Sequence, residues 1–339
     1  MNRRYLLAAV GLIVVAVVAV LVAKGTNPNR IGGATDITSA KDLPVLQAGP
    51  QPSLGLGNGF TNGAPLRDAD LKGKVVLYDF WTYSCINCQR TLPYIESWYT
   101  RYAKDGLVVV GVHSPEFDFE KVHQNVEAAV KRLHVNYPVV FDDDMAIWNA
   151  FHNQYWPAKY LADRDGDVRY VHFGEGGYDE AEDAIRVLLG VAKDAPRAAD
   201  PKLKAESLTA ANTEETYLGS ERGGVDYVKL TGNWNTTSQY VESQDAHEDL
   251  KLTYHAGEVN LVLDRSGQNP TSAVVELDGK PIPAGQRGAS IVERDGQTVV
   301  DVDAADMYRL VANGPSGNHV LTFHPRGAGV EAFAFTFGD

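Results

Sequence analysis

The patterning of apolar residues changes once along this 339-residue chain, and that change limits its possible folds more than any other feature. From Lys74 to Lys193 short apolar runs alternate with stretches of helical period. Val75–Phe80, continuous but for Asp79, suits a buried strand, and Leu107–Val112 suits a second. Cys85–Lys104 reads as a helix, and Val122, Val126, Val130 and Leu133 make a stripe at the 3.6-residue period. Val139–Phe141, Ala158–Ala162 and Val168–Phe173 are further strands, and Glu180–Lys193 is an amphipathic helix. Strands alternating with helices predict an α/β sheet with crossover connections. Ahead of it, Gly57-Asn58-Gly59 and Asn62-Gly63 predict a short hairpin within residues 53–72. Beyond residue 213 the period becomes two. Leu250, Leu252 and Tyr254 alternate, then Val259, Leu261 and Leu263, with Asp278-Gly279 and Asp295-Gly296 as turn pairs. Val320–Phe323 and Ala332–Phe337 complete a pattern that predicts an all-β sandwich.

Charge follows the same division. The net charge is −13, yet residues 214–339 hold 19 Asp and Glu against 9 Lys and Arg, a net −10, which leaves −3 for the rest. Such a balance argues against a protein built to neutralise nucleic-acid phosphates. Two cysteines exclude a disulfide-rich scaffold and a four-cysteine metal or iron–sulfur site. The expected organisation is a membrane anchor at 1–24, a tether at 25–50 and an α/β domain at 51–193. A linker at 194–213 and a β-sandwich at 214–339 follow.

The anchor rests on Tyr5–Ala23, a run without a charge, Pro, Asn or Gln. As a helix it spans about 28 Å at ~1.5 Å per residue, close to the ~30 Å hydrocarbon core. A cleaved signal peptide is the rival, but its apolar part is usually only ~7–15 residues long, and Leu21 spoils a small-x-small site. Arg3 and Arg4 ahead of the run keep the N-terminus in the cytoplasm. The expectation is a single pass through the cytoplasmic membrane, with the bulk of the chain in the periplasm or extracytoplasmic space.

Cys85-Ile86-Asn87-Cys88 follows a predicted strand and opens a predicted helix. Unpaired backbone N–H groups and the positive end of the helix dipole favour a thiolate at that position. A thiolate attacks disulfides, so Cys85 is the candidate nucleophile. Cys88, nearly one turn on, can resolve the mixed disulfide by closing the ring. Asp79 lies in the preceding strand among Val76, Leu77, Phe80 and Trp81, where burial of a carboxylate is costly and raises its pKa. Such a carboxyl could accept and return the proton of Cys88.

These residues carry a resemblance. Asp79-Phe80-Trp81-x3-Cys85-x2-Cys88 with Pro93 resembles the thioredoxin active site. Pro93 fits that family's kink in the helix, and Trp156-Pro157 resembles the position of its cis-proline, whose loop docks the substrate backbone. The insertion around Phe117–Leu133 resembles the membrane-anchored TlpA-like branch. The strings Trp81–Tyr94, Gly111–Phe117 and Asn153–Pro157 are similar to the periplasmic part of DipZ proteins. Thr213–Asp339, opening on Glu215-Thr216-Tyr217-Leu218-Gly219, resembles their C-terminal β-sandwich, which is similar to carbohydrate-binding modules. The resemblance implies a thioredoxin-like domain, a central mixed sheet with flanking helices, joined to that sandwich behind one transmembrane helix. It implies a thiol–disulfide oxidoreductase that exchanges a CxxC pair with protein thiols or disulfides and needs no cofactor beyond its redox-active cysteines. DipZ proteins carry a multi-span electron-conducting domain, whereas this chain has one apolar span. Electrons would then come from a separate membrane protein of the DsbD/CcdA type.

Other readings compete. A structural disulfide with two intervening residues constrains little of the unfolded chain. Zinc is formally possible through His319-x4-His324, but about 230 residues separate the two halves instead of ~12–15. Thr82-x2-Cys85 also resembles the peroxiredoxin site, which needs a proline where Tyr78 stands. A copper chaperone could use the Cys pair with a histidine, since soft thiolates select Cu(I). A glycan- or cell-wall-binding protein could rely on the sandwich, with Trp234 and Tyr240 as stacking candidates, although such aromatics usually pack a core. Trp81, Pro93 and Glu116 are expected to surround the cysteines, and no metal site is expected.

Overall fold

A computed structural model describes residues 30–31, 37–201, 213–223, 226–267, 270–314 and 317–338. The expected anchor at 1–24, much of the tether and residues 202–212 of the linker lie outside the described residues. Among those described, no helix is long and apolar enough to cross a membrane. Contacts group the chain into two units. One is drawn from Met1–Thr82, Asn87–Glu116 and Val126–Lys202, the other from Tyr83–Ile86, Phe117–Asn125 and Leu203–Asp339.

The first unit is built on a seven-stranded mixed sheet. Its strands are β1 (Arg30–Ile31), β2 (Phe60–Thr61), β3 (Val75–Trp81), β4 (Leu107–His113), β5 (Val139–Phe141), β6 (Ala158–Ala162) and β7 (Val168–Phe173), in the order β1-β7-β6-β3-β4-β5-β2. β3, β4 and β5 are parallel, β6 runs antiparallel to β3, and β7 runs antiparallel to β6. Its longer helices are α1 (Ile86–Tyr102), α2 (His123–Arg132), α3 (Ala146–Ala150) and α4 (Tyr178–Leu189). Every residue of β3 is buried, which is why its sequence is a continuous apolar run and not an alternating one.

Several boundaries differ from the sequence expectation for local reasons. The predicted hairpin is instead the edge strand β2, which pairs with β5 through Phe60↔Val140. Val122 precedes α2 and is exposed, so the helix buries Val126, Ala129 and Val130 instead of a stripe beginning at 122. The last helix stops at Leu189, because Gly190 takes a left-handed C-cap with φ 76°.

In the second unit two antiparallel sheets carry the predicted sandwich. Leu250, Leu252, Tyr254, Val259, Leu261 and Leu263 are all in its core. Asp278-Gly279 and Asp295-Gly296 have positive φ at both positions, as a two-residue type I′ turn requires. Trp234 packs against the core and Tyr240 against Phe333 with ring centroids 4.9 Å apart, so both aromatics have packing roles. Phe333 also meets Phe117 and Phe119 at 5.1 and 4.8 Å, and the Tyr83 hydroxyl donates to the Ala305 carbonyl at 3.2 Å. These contacts make residues 83–86 and 117–125 part of this unit.

Candidate redox site

β3 ends at Trp81 and α1 begins at Ile86, which leaves Cys85 immediately ahead of the first helical residue. Cys85 is half-buried, whereas Cys88, in the first turn, is fully buried. One sulfur is therefore placed for contact with a partner and the other behind it. Pro93 lies inside α1 and cannot donate to the carbonyl of Gln89, which interrupts the ladder one turn beyond the cysteines.

Asp79 is fully buried. Its Oδ2 accepts from the Tyr137 hydroxyl at 3.1 Å, while Oδ1 has no hydrogen-bond partner among the described residues. Burial pushes its carboxyl up to about 6, against the lowering influence of the Lys159 ammonium and the Tyr137 hydroxyl. Room for this arrangement comes from β4. Gly111 pairs with Asp79 in register, and a Cβ there would sit 3.0 Å from the Tyr137 ring and 3.1 Å from Trp81 Nε1. Glycine lets both rings close in beside the carboxyl.

Lys159, which the sequence reading passed over, stands opposite Asp79 in the antiparallel register of β3 and β6. It too is fully buried. Its Nζ donates to the Gly174 carbonyl at 3.1 Å and lies 5.6 Å from the Tyr178 ring centroid. Burial pulls the ammonium down to about 8, while the charges of Asp79, Cys88 and Glu175 act in the opposite direction. Cys88 also acts electrostatically on Tyr137. The second sulfur thus shares one buried environment with Asp79, Tyr137 and Lys159.

Comparison with known proteins finds relatives of both parts of the chain. Residues 51–171 match the AhpC/TSA family, and residues 197–338 match the thioredoxin like C-terminal domain. Protein DipZ of Mycobacterium bovis is 36% identical over 299 residues, which covers 81% of this chain and 40% of that protein. Thiol-disulfide oxidoreductase YkuV of Bacillus subtilis is 29% identical over 140 residues, covering 41% of this chain and 94% of that protein. Both parts of the chain are thus similar to thioredoxin-like families. The chain spans 40% of the length of its DipZ relative. A solved thiol:disulfide interchange protein of Chlorobium tepidum superposes with a TM-score of 0.37 at 23% identity, over 42% of this chain and 98% of that one.

The remaining expected residues fall in different places. The Trp156–Pro157 bond is cis. The register Phe80↔Ala158 brings this pair to the end of β3 from which the cysteine loop departs. Trp156 Nε1 donates to the Ser114 carbonyl at 2.9 Å, and the ring lies 4.2 Å from that of Trp148. Trp81 is buried, edge-on to His113 at 5.3 Å, and so is a core residue beneath the loop. Glu116 is half-buried in the segment after β4. Glu120 reaches the cysteine loop. It is fully buried, accepts from the Ser84 hydroxyl at 2.6 Å and accepts from the Phe117 backbone N–H at 3.0 Å. No group of three or more His, Cys, Asp or Glu that could hold a metal occurs among the described residues. His319 and His324 are instead paired with Asp278 and Asp249 at 2.8 and 2.6 Å.

Proposed function

We propose that this chain is a thiol–disulfide oxidoreductase that exchanges a dithiol for a disulfide with partner proteins through Cys85 and Cys88. The arrangement that carries the reading is a half-buried sulfur ahead of a helix, followed by a buried sulfur whose charge acts on Lys159 and Tyr137, the neighbours of a buried carboxyl. In the reducing direction the Cys85 thiolate attacks one sulfur of a partner disulfide, and the other partner sulfur leaves as a thiolate. Cys88 then gives its proton to Asp79 and attacks Cys85 Sγ. The partner's second thiolate leaves and takes up the proton, and a Cys85–Cys88 disulfide remains. Two electrons pass from the cysteine pair to the partner, so the two sulfurs carry the whole redox change and no further cofactor is required. The oxidising direction is the same sequence reversed. The main chain at Trp156–Pro157, at the same end of β3, receives the partner's extended segment.

The apolar run Tyr5–Ala23 supports a single-pass anchor that holds these domains on the outer side of the cytoplasmic membrane. An electron donor of the DsbD/CcdA type would recharge the pair from within that membrane. The test is the Cys88→Ser variant. It should accumulate a mixed disulfide with partner protein at Cys85, and a variant that turns over at the wild-type rate without the intermediate would refute the resolving role.

A further inference from the structure

The face of the first sheet turned away from Asp79 holds a cavity that the exchange does not use. Side chains alternate along β3, so Val76, Tyr78 and Phe80 share the face opposite Asp79. Toward the cysteine end this face is closed by aromatic packing. Phe80 meets Trp148 edge-on at 6.0 Å, and Tyr78 meets Phe151 at 4.8 Å. Toward the start of β3 the cover passes to residues 50–54 and to the short helix Asp68–Leu71. Between them a cavity of about 460 Å³ opens over Val76, Tyr78 and Ala162, with Pro50, Pro52 and Leu71 as further apolar walls. Val76 and Ala162 are register partners on β3 and β6. Val76 lies about 16 Å along the strand from Trp81, at ~3.3 Å per residue.

The wall formed by residues 50–54 is pinned at both ends. The Gly49 N–H donates to Asp167 Oδ1 at 2.7 Å, and the Leu54 N–H donates to Asp68 Oδ1 at 2.9 Å. Pro50 and Pro52 bring no N–H of their own. Gln51, between the two prolines, donates from Nε2 to the Gly166 carbonyl. Only the NH2 side of the amide can face a carbonyl, so this bond turns the amide oxygen the other way. That oxygen, Oε1, is buried and has no hydrogen-bond partner among the described residues. A buried acceptor without a donor is costly, and a guest that supplies the donor recovers the cost. The ionised groups of the lining balance. Asp163 is held by Arg169 at 2.6 Å, which leaves Asp68 and Asp165 against Lys72 and Arg164.

We propose that this cavity binds a neutral aromatic molecule carrying a hydrogen-bond donor, with its ring against Tyr78 and the prolines and its donor on Gln51 Oε1. The volume falls within the ~300–1,000 Å³ of small-molecule sites, which combine apolar walls with a few placed polar groups. Two pyrrolidine rings and a phenol ring offer flat surfaces to a flat guest. The balanced charges favour a neutral guest over an ion. Binding here is independent of the exchange, because the cavity and the cysteine loop lie toward opposite ends of β3.

The experiment titrates indole into the full chain, isotope-labelled at its Leu and Val methyl groups, and reads the methyl shifts of Leu71 and Val76. Benzofuran, which has the same shape with an ether oxygen in place of the N–H, is the control. Indole should shift both residues saturably, with a dissociation constant about tenfold below that of benzofuran. In Gln51→Leu the two compounds should bind with equal affinity. Indole that leaves Leu71 and Val76 unmoved up to its solubility limit would overturn the site. Equal affinities in the wild type, or a tenfold preference that survives in Gln51→Leu, would overturn the donor contact. Should Gln51→Leu fail to fold, the wild type decides alone. Its bound indole should then show intermolecular NOEs from the ring to the Leu71 and Val76 methyls, and saturable binding without them would place the guest elsewhere and refute the proposal.

Discussion

Asp79 and Lys159 stand opposite each other on neighbouring antiparallel strands, both fully buried, with a fully buried cysteine close enough for its charge to act on the lysine. A carboxyl held near 6 and an ammonium held near 8 place both proton transitions around neutrality. Groups with such values can exchange protons with a thiol under ordinary conditions. The same burial makes the pair expensive to keep folded, and that cost has a pH signature.

Folded Asp79 holds its proton to higher pH than the 3.8 of an ordinary Asp, so its contribution to stability falls as pH rises from about 4 to about 6. Folded Lys159 gives up its proton earlier than an ordinary lysine at 10.5, so its contribution recovers as pH rises above about 8. Each limb is on the order of 3 kcal/mol at ~1.36 kcal/mol per pH unit. Urea unfolding of wild type and of the Asp79→Asn, Lys159→Met double variant, compared pH by pH, should give a stability difference with both limbs. A difference independent of pH would show that neither group is perturbed by burial.

Tyr137→Phe removes the one hydrogen bond made to the Asp79 carboxylate by a side chain among the described residues. Hydrogen bonding to a charged form favours it, so the carboxyl should then titrate above its wild-type value. Infrared titration of the Asp79 band checks the direction. A downward move would contradict the geometry.

Gly111→Ala places a methyl 3.0 Å from the Tyr137 ring, 3.1 Å from Trp81 Nε1 and 3.1 Å from Val139. Overpacking of this kind costs ~1–3 kcal/mol. Denaturant unfolding should show that loss, together with a shifted acid limb in the Cys88 step as Tyr137 is displaced.

Glu120→Ala leaves the buried Ser84 hydroxyl without the acceptor now 2.6 Å away, and the Phe117 N–H without one at 3.0 Å. Buried donors deprived of acceptors cost ~1–3 kcal/mol. Because Ser84 adjoins Cys85, the rate of Cys85 alkylation should change as well. An unchanged alkylation rate in a destabilised variant would confine Glu120 to a structural role.

The sequence made the cysteines and Asp79 legible because their signals are local: a continuous apolar run, one acid inside it, and two cysteines at the start of a helix. The partners of Asp79 were hidden for the opposite reason. Tyr137 reaches it from 58 residues away. Lys159 sits in Ala-Lys-Tyr-Leu-Ala, where a lone lysine ordinarily marks a solvated face, and only cover on both faces of the sheet buries it. The absence of alternation in that run was the available clue. Glu116 is expected near the cysteines because it follows the strand end, whereas Glu120 carries no such signal. The short turn Asp118–Lys121 folds Glu120 back onto the Phe117 N–H and toward Ser84, a reversal that no periodicity announces. The sandwich was readable from its alternation and turn pairs, whereas its use of Tyr83, Phe117 and Phe119 as packing partners depends on contacts remote in sequence.

The most direct measurement equilibrates the full chain in glutathione redox buffers and follows peptides containing residues 85–88 by mass. A two-electron transition is predicted, with loss of two hydrogens and formation of a Cys85–Cys88 disulfide that disappears in Cys85→Ser. A pair that remains a dithiol across the whole range, from fully reducing to fully oxidising buffer, would contradict the account.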